Sequence, residues 1–479
     1  MRRSGLLLPV AAGILLAASS TSAWAAEPEP HMVGDIDEGP VFLVDATTVG
    51  DDFVYLGGRG RERQGLHWFD SSRDREPRLA GARAGDMHRE LATINDRVIF
   101  TGFTQRQATE PWLSDGTRAG TRLLKEIDPG RRPGLCAGPG DCPTYPAGSE
   151  PMSFLTIDGV TYFTAAEPRT GRELWQTDGT RNGTRLVKDV RPGKESGVDF
   201  GAVVEFDGQL YFFANDGRHG VELWRTDGTG KGTRRVTDIG SGWGTWPSTP
   251  VAVGDRLYFV GWSKDEGAEL WSTDGTVAGT GLVIDIRGGP KTSDPRDLTA
   301  VGETLYFTAA DRGHGRELWR SDGTEAGTTL VADLTPGKGS SRPGDLIALD
   351  DQLYFTVWDG PGELVIPGTL FRSDGTEAGT GPVDMGVGEA VGVRRFWTEY
   401  PSIAARDGRL YLAMDDGVHG SELWTTDGTA AGSRLVGDIR PGAEGSDPEW
   451  FTLSDSSLYL VADDGEHGRQ IWAQPLTES

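Results

Sequence analysis

The sequence predicts an all-β chain, a β-propeller of about nine four-stranded blades, and three observations carry that expectation. A unit of near-constant length recurs along almost the whole chain. Each unit splits into short runs of β-forming residues separated by Gly-rich turns. The last unit stops one strand short, and a segment near the N-terminus supplies a matching strand.

The period comes first, because repeats decide the architecture before any single element does. Aligned on the Trp of Glu-Leu-Trp, the units place Trp68, Trp112, Trp175, Trp224, Trp271, Trp319, Phe371, Trp424 and Trp472 at one position. The spacing is mostly near 48 residues, enough for four strands of about 5–6 residues with their turns. The unit around Trp319 shows the parts. Residues 297–301 form the inner strand, 304–308 the second, 317–320 the third and 329–332 the outer one. Apolar residues in these runs show no helical periodicity.

Two turns recur. DRGHG, residues 311–315, links the second strand to the third, and SDGTEAGT, residues 321–328, links the third to the outer. An active site is needed once. Seven copies of the DGT turn, at Asp115, Asp178, Asp227, Asp274, Asp322, Asp374 and Asp427, therefore read as a hairpin lock. The aspartate accepts from turn amides, Gly323 and Gly327 are expected to supply positive φ, and Thr324 and Thr328 tie the loop to the strand ends.

The final unit reaches Trp472 and ends without an outer strand. Residues 32–37, MVGDID, match the outer-strand pattern of the preceding unit, residues 435–440, LVGDIR. The N-terminal segment is therefore expected to complete the last blade, which leaves the ring no open edge. Nine blades follow; eight, with an irregular first unit, is the alternative count.

Residues 1–25 combine two arginines, an apolar run over 6–18 and a terminal Ala23-Trp24-Ala25, the layout of a Sec-type signal peptide cleaved after Ala25. Residues 26–479 then form a single propeller domain in the periplasm or outside the cell. Cys136 and Cys142 flank a Gly/Pro loop and can pair as a disulfide in an oxidising compartment. A formal charge of −25 argues against nucleic acid as partner, and no stretch after the signal is apolar for the length of a membrane span. No cofactor is predicted, with calcium the one ion the acidic composition keeps in view. His219, His314, His419 and His467 occupy one slot beside acids, but a single residue per blade is held apart by the ring and reads as a turn lock rather than a metal site.

The consensus ELWxTDGTxxGTxLVxDIxPG, as in residues 173–193 and 422–442, resembles the bacterial ELWxxDGT repeat proteins. That resemblance implies export and a repetitive β-rich fold, with no defined activity. Residues 165–175, and 214–224 with His219 in place of Thr, are similar to the tryptophan-docking motif of quinoprotein-like propellers. There the motif locks blade to blade in enzymes and scaffolds alike.

Function is expected where the repeat is broken. Four irregular segments, 129–151, 240–250, 358–368 and 386–402, fall on one face, that of the blade crossings and second-to-third turns. They carry Tyr145, Trp243, Trp246, Trp397 and Tyr400 with Arg131, Arg132, Arg394 and Arg395. Exposed aromatic rings stack on sugar faces and arginines fork onto carboxylates, so the expected ligand is a glycan or an extracytoplasmic protein such as an envelope protein. The alternative is a polysaccharide-degrading lyase or glycosidase, or a quinoprotein-like enzyme. No G-x-S-x-G, H-E-x-x-H or P-loop occurs, and sequence separation does not reveal a carboxylate pair.

Overall fold

A computed structural model of the chain describes residues 28–33, 40–59, 65–72, 78–79, 83–84, 90–104, 106–133, 144–198, 203–239, 249–358, 368–387, 392–393 and 402–476. Its elements are all strands, arranged as nine antiparallel blades of a β-propeller.

Blade 6 shows the common plan. Arg296–Val301, Thr304–Ala310, Arg316–Ser321 and Thr329–Ala332 pair in that order. The expected strands lie inside these limits. In blades 2 and 8 the innermost strand is split into two pieces on the same partner. Arg83–Ala84 and Leu91–Ile94 both pair with Arg97–Thr104, and Gly392–Val393 and Ile403–Arg406 with Arg409–Asp415. The first unit, which lacks DGT, is a full blade: Val41–Val49, Asp52–Arg59, Gly65–Phe69 and Arg78–Leu79. This settles the count at nine.

The core lies between blades rather than within one. Strand alternation sends successive side chains to opposite faces, so each blade contributes to two clusters. Leu318 packs with Leu353 and Phe355 of blade 7, while Trp319, one residue on, packs with Tyr258 and Leu270 of blade 5. This explains the Leu-Trp pair of the repeat: each faces a different neighbour. Blade 9 consists of Glu449–Leu453, Ser457–Asp463, Arg469–Pro475 and, outermost, His31–Met32. His31 pairs with Ala473 and Met32 with Trp472, and the Val33 amide continues to the Ile471 carbonyl at 2.8 Å. Val33 then joins Phe53, Tyr55, Tyr459 and Ile471 in the cluster that joins blades 9 and 1. The N-terminal segment closes the ring.

Candidate functional site

Antiparallel order places the first-to-second and DGT turns on one face of the ring and the second-to-third turns and blade crossings on the other.

On the DGT face all seven turns share one set of bonds. The aspartate Oδ1 accepts from the Thr amide two residues on at 2.8–2.9 Å. The same oxygen accepts from that Thr hydroxyl at 2.6–2.7 Å. These bonds, the hydroxyl first, hold the carboxyl of Asp322 below its ordinary range. Gly323 has φ +88°, as the repeat predicts. Gly327 corrects the expectation: it is not in the left-handed region, and it is glycine because a Cβ there would overlap the Asp322 carboxylate. The turn is also an inter-blade contact. A Cβ at Gly228 would lie 2.7 Å from the Tyr162 hydroxyl of blade 3, and one at Gly375 2.5 Å from that of Tyr306 in blade 6.

On the crossing face the central group is one that sequence reading took for an ordinary strand residue. The glutamate two residues before the repeat Trp is buried in six blades, in Glu-Leu-Trp as Glu173, Glu222, Glu269, Glu317 and Glu422 and in Glu-Pro-Trp as Glu110. Each carboxylate gathers the loop that crosses to the next blade. Glu317 accepts from the Leu334 amide at 3.3 Å, the Ser341 amide at 2.8 Å and the Ser341 hydroxyl. Glu422 accepts from the amides of Ile439 and Arg440 at 3.1 and 3.0 Å and from the Ser446 hydroxyl at 2.6 Å. Glu110 does the same with Ile127, Asp128 and Ser149. Burial pushes the carboxyls of Glu110, Glu269 and Glu422 up to about 7 and that of Glu173 up to about 8. The available signal was a charged residue on a strand whose neighbours are apolar, repeated in register with a serine 24 residues later, as in Glu269 and Ser293.

The histidine slot is also committed within its own turn. His219, His314, His419 and His467 each hold an aspartate Oδ2 on Nδ1 at 2.7–2.8 Å, from Asp216, Asp311, Asp416 and Asp464. The same aspartates accept the histidine amides. The side-chain bond to the partner aspartate raises the imidazoles of His314 and His419 above their ordinary range. Such dyads recur in separate blades and do not converge.

Of the expected ligand residues, Tyr145 is placed. It lies in Thr144–Pro146, which pairs with Arg131–Pro133 as a hairpin raised on the crossing from blade 2 to blade 3, and it is 59% exposed. Arg131 spans the same hairpin, donating from Nε and Nη2 to the Thr144 hydroxyl and carbonyl at 2.9 and 2.7 Å. Trp243, Trp246, Arg394, Arg395, Trp397, Tyr400, Cys136 and Cys142 lie outside the described residues.

No family model matches the chain, and no curated protein does. Solved structures that align with it include a puromycin hydrolase, at 14% identity and TM-score 0.37 over 80% of this chain and 60% of that one. The β-propeller domain of the trilobed protease from Pyrococcus furiosus aligns at 11% and 0.36 over 69% and 96%, and a prolyl endopeptidase at 12% and 0.40 over 92% and 54%. The chain thus spans about 60% of the length of the puromycin hydrolase. At these identities and scores the alignments carry no argument about activity.

Proposed function

We propose that this protein is an exported, non-catalytic binding scaffold whose ligand, a glycan or an envelope protein, is held by the irregular loops of the crossing face. One observation carries this reading. The repeated polar groups of both faces, the DGT aspartates, the His–Asp turns and the buried glutamates, are taken up by their own turns and by the crossing loops beside them, whereas Tyr145 stands exposed on a non-repeating hairpin. A rigid ring with a unique loop set on one face is the arrangement in which binding residues usually sit. The glutamates with raised pKa would suit acid catalysis by their chemistry, but each is enclosed and they are distributed one to a blade.

The test is binding of residues 26–479 across a glycan array, with calcium and with chelator. A selective hit that Trp243→Ala or Trp397→Ala abolishes supports the reading. Turnover of the bound polysaccharide by purified protein overturns its non-catalytic part. A blank array followed by stable capture of a single envelope protein selects the protein-binding form.

A further inference from the structure

The DGT turns are alike in backbone and unlike in charge. Each of the segments 115–125, 178–188 and 227–235, the turn and outer strand of blades 2, 3 and 4, carries three basic side chains against one aspartate. The equivalent 274–284 has no basic residue, and 322–332 and 374–382 each have none and two acids. One sector of a face on a chain of formal charge −25 is therefore positive, and the turns of the next three blades, 5 to 7, carry only acids.

The positive residues occupy repeating positions. Arg118 and Arg181 are third after the turn aspartate, Lys231 is fourth, and Arg122, Arg185 and Arg234 are seventh; all six are exposed. They run together across the blade boundaries. Arg122 donates to the Gly179 carbonyl of the next turn at 3.5 Å, two residues from Arg181. Gln176, with its amide oriented to donate to the Gly228 carbonyl of the turn after that, accepts from Arg185 at 2.7 and 3.1 Å. Lys125 and Lys188 fasten the sector beneath: each donates to the carbonyl of the next turn's final Thr, Thr184 or Thr233, and lies over the ring of Trp175 or Trp224. Asp115, Asp178 and Asp227 are the acids of the three turns themselves, each with Oδ1 occupied by its own Thr; exposed Asp96, which pairs with Arg97, Asp158 and Asp207 stand on the first-to-second turns of the same blades and leave the basic side chains in excess. Among the described residues Arg118, Arg181, Lys231 and Arg234 meet no acidic partner.

We propose that this basic sector is a second binding surface, distinct from the crossing face, and that it takes an acidic polysaccharide with carboxylates on successive sugars. Arginine forks match carboxylates, and a row of them on a rigid frame matches a polymer that repeats its charge. A folded protein partner would require a buried apolar centre, which these turns do not offer; the one large exposed apolar side chain on a DGT turn, Val277, belongs to blade 5. Nucleic acid is disfavoured by the −25 charge of the whole and by the absence of an aromatic stacking platform among the six basic residues.

The experiment uses residues 26–479 with polygalacturonate as probe, dextran as the neutral control and a DNA duplex as competitor, at about 50 mM and about 300 mM salt. The expected result is binding of polygalacturonate and not dextran, weakened by salt. The triple variant Arg118→Glu, Arg181→Glu, Lys231→Glu is expected to bind at least about tenfold more weakly with an unchanged melting midpoint, because all three side chains are exposed. Trp243→Ala and Trp397→Ala leave this binding as it was, which separates it from the crossing-face ligand. No binding by the wild-type chain at low salt overturns the proposal. So does affinity within twofold in the triple variant, or displacement by DNA at equal concentration.

Discussion

Glu317→Ala removes the acceptor that gathers the crossing from blade 6 to blade 7. Two amides, of Leu334 and Ser341, and the Ser341 hydroxyl lose a wholly buried carboxylate. Leaving a buried donor without its partner costs about 1–3 kcal/mol each, part of it recovered by water entering the space of the lost side chain. The net is about 3 kcal/mol, and it falls on the loop, since the Leu318 and Trp319 packing on either side is untouched. Lys338 lies exposed in that loop, and Lys194 lies exposed in the crossing from blade 3 to blade 4. Trypsin at pH 8 reads the two sites separately. Where reclosing is faster than cleavage, nicking follows the population of the open loop. Cleavage after Lys338 should therefore rise about a hundredfold and cleavage after Lys194 should not change. Glu317→Gln keeps one acceptor oxygen and should give an intermediate rise. Lys338 nicking within twofold of wild type, or a parallel rise at Lys194, would refute the role assigned to the glutamate.

Glu269, whose carboxyl is pushed up to about 7 by burial, titrates in the unfolded chain near 4.5, so between these values the native state holds a proton that the unfolded state has released. Its contribution of about 3 kcal/mol is present below pH 4.5 and is lost as the pH rises to about 7. Denaturation midpoints from pH 4.5 to 8 should show this fall, and Glu269→Gln should flatten it; parallel curves would contradict the assignment. In the DGT turn, Gly327→Ala drives a Cβ against Asp322 and should cost about 1–2 kcal/mol through the lost Asp322–Thr324 bonds. Gly281→Ala, with no atom within 4 Å of its Cβ, is the neutral comparison in the same denaturation series. Val33→Asp puts a charge into the cluster joining blades 9 and 1, where Val33 is 1% exposed. It should cost about 3 kcal/mol or more and promote association through the uncovered strand Arg469–Pro475, detectable by sedimentation; a monomer of wild-type stability would contradict the closure.

The propeller was legible in the residues because its causes are local and repeated. β-forming runs, turns that need Asp, Gly and Thr at set positions, and a period near 48 recur along the chain, and a missing outer strand at one end matched a spare one at the other. That pairing of His31–Met32 with Arg469–Pro475 could be read at long range because it obeys the same repeat. The tertiary structure decided what depends on neighbours. Leu318 and Trp319 face different blades, Gly327 is constrained by a carboxylate rather than by φ, and the glutamate of Glu-Leu-Trp serves a serine 24 residues away. It also brought the basic residues of three turns, separate in sequence, side by side across the blade boundaries. Sequence spacing records which side chain follows which along a strand, but a hydrogen bond or a charge patch depends on which atoms meet across blades, and only the closed ring brings those together.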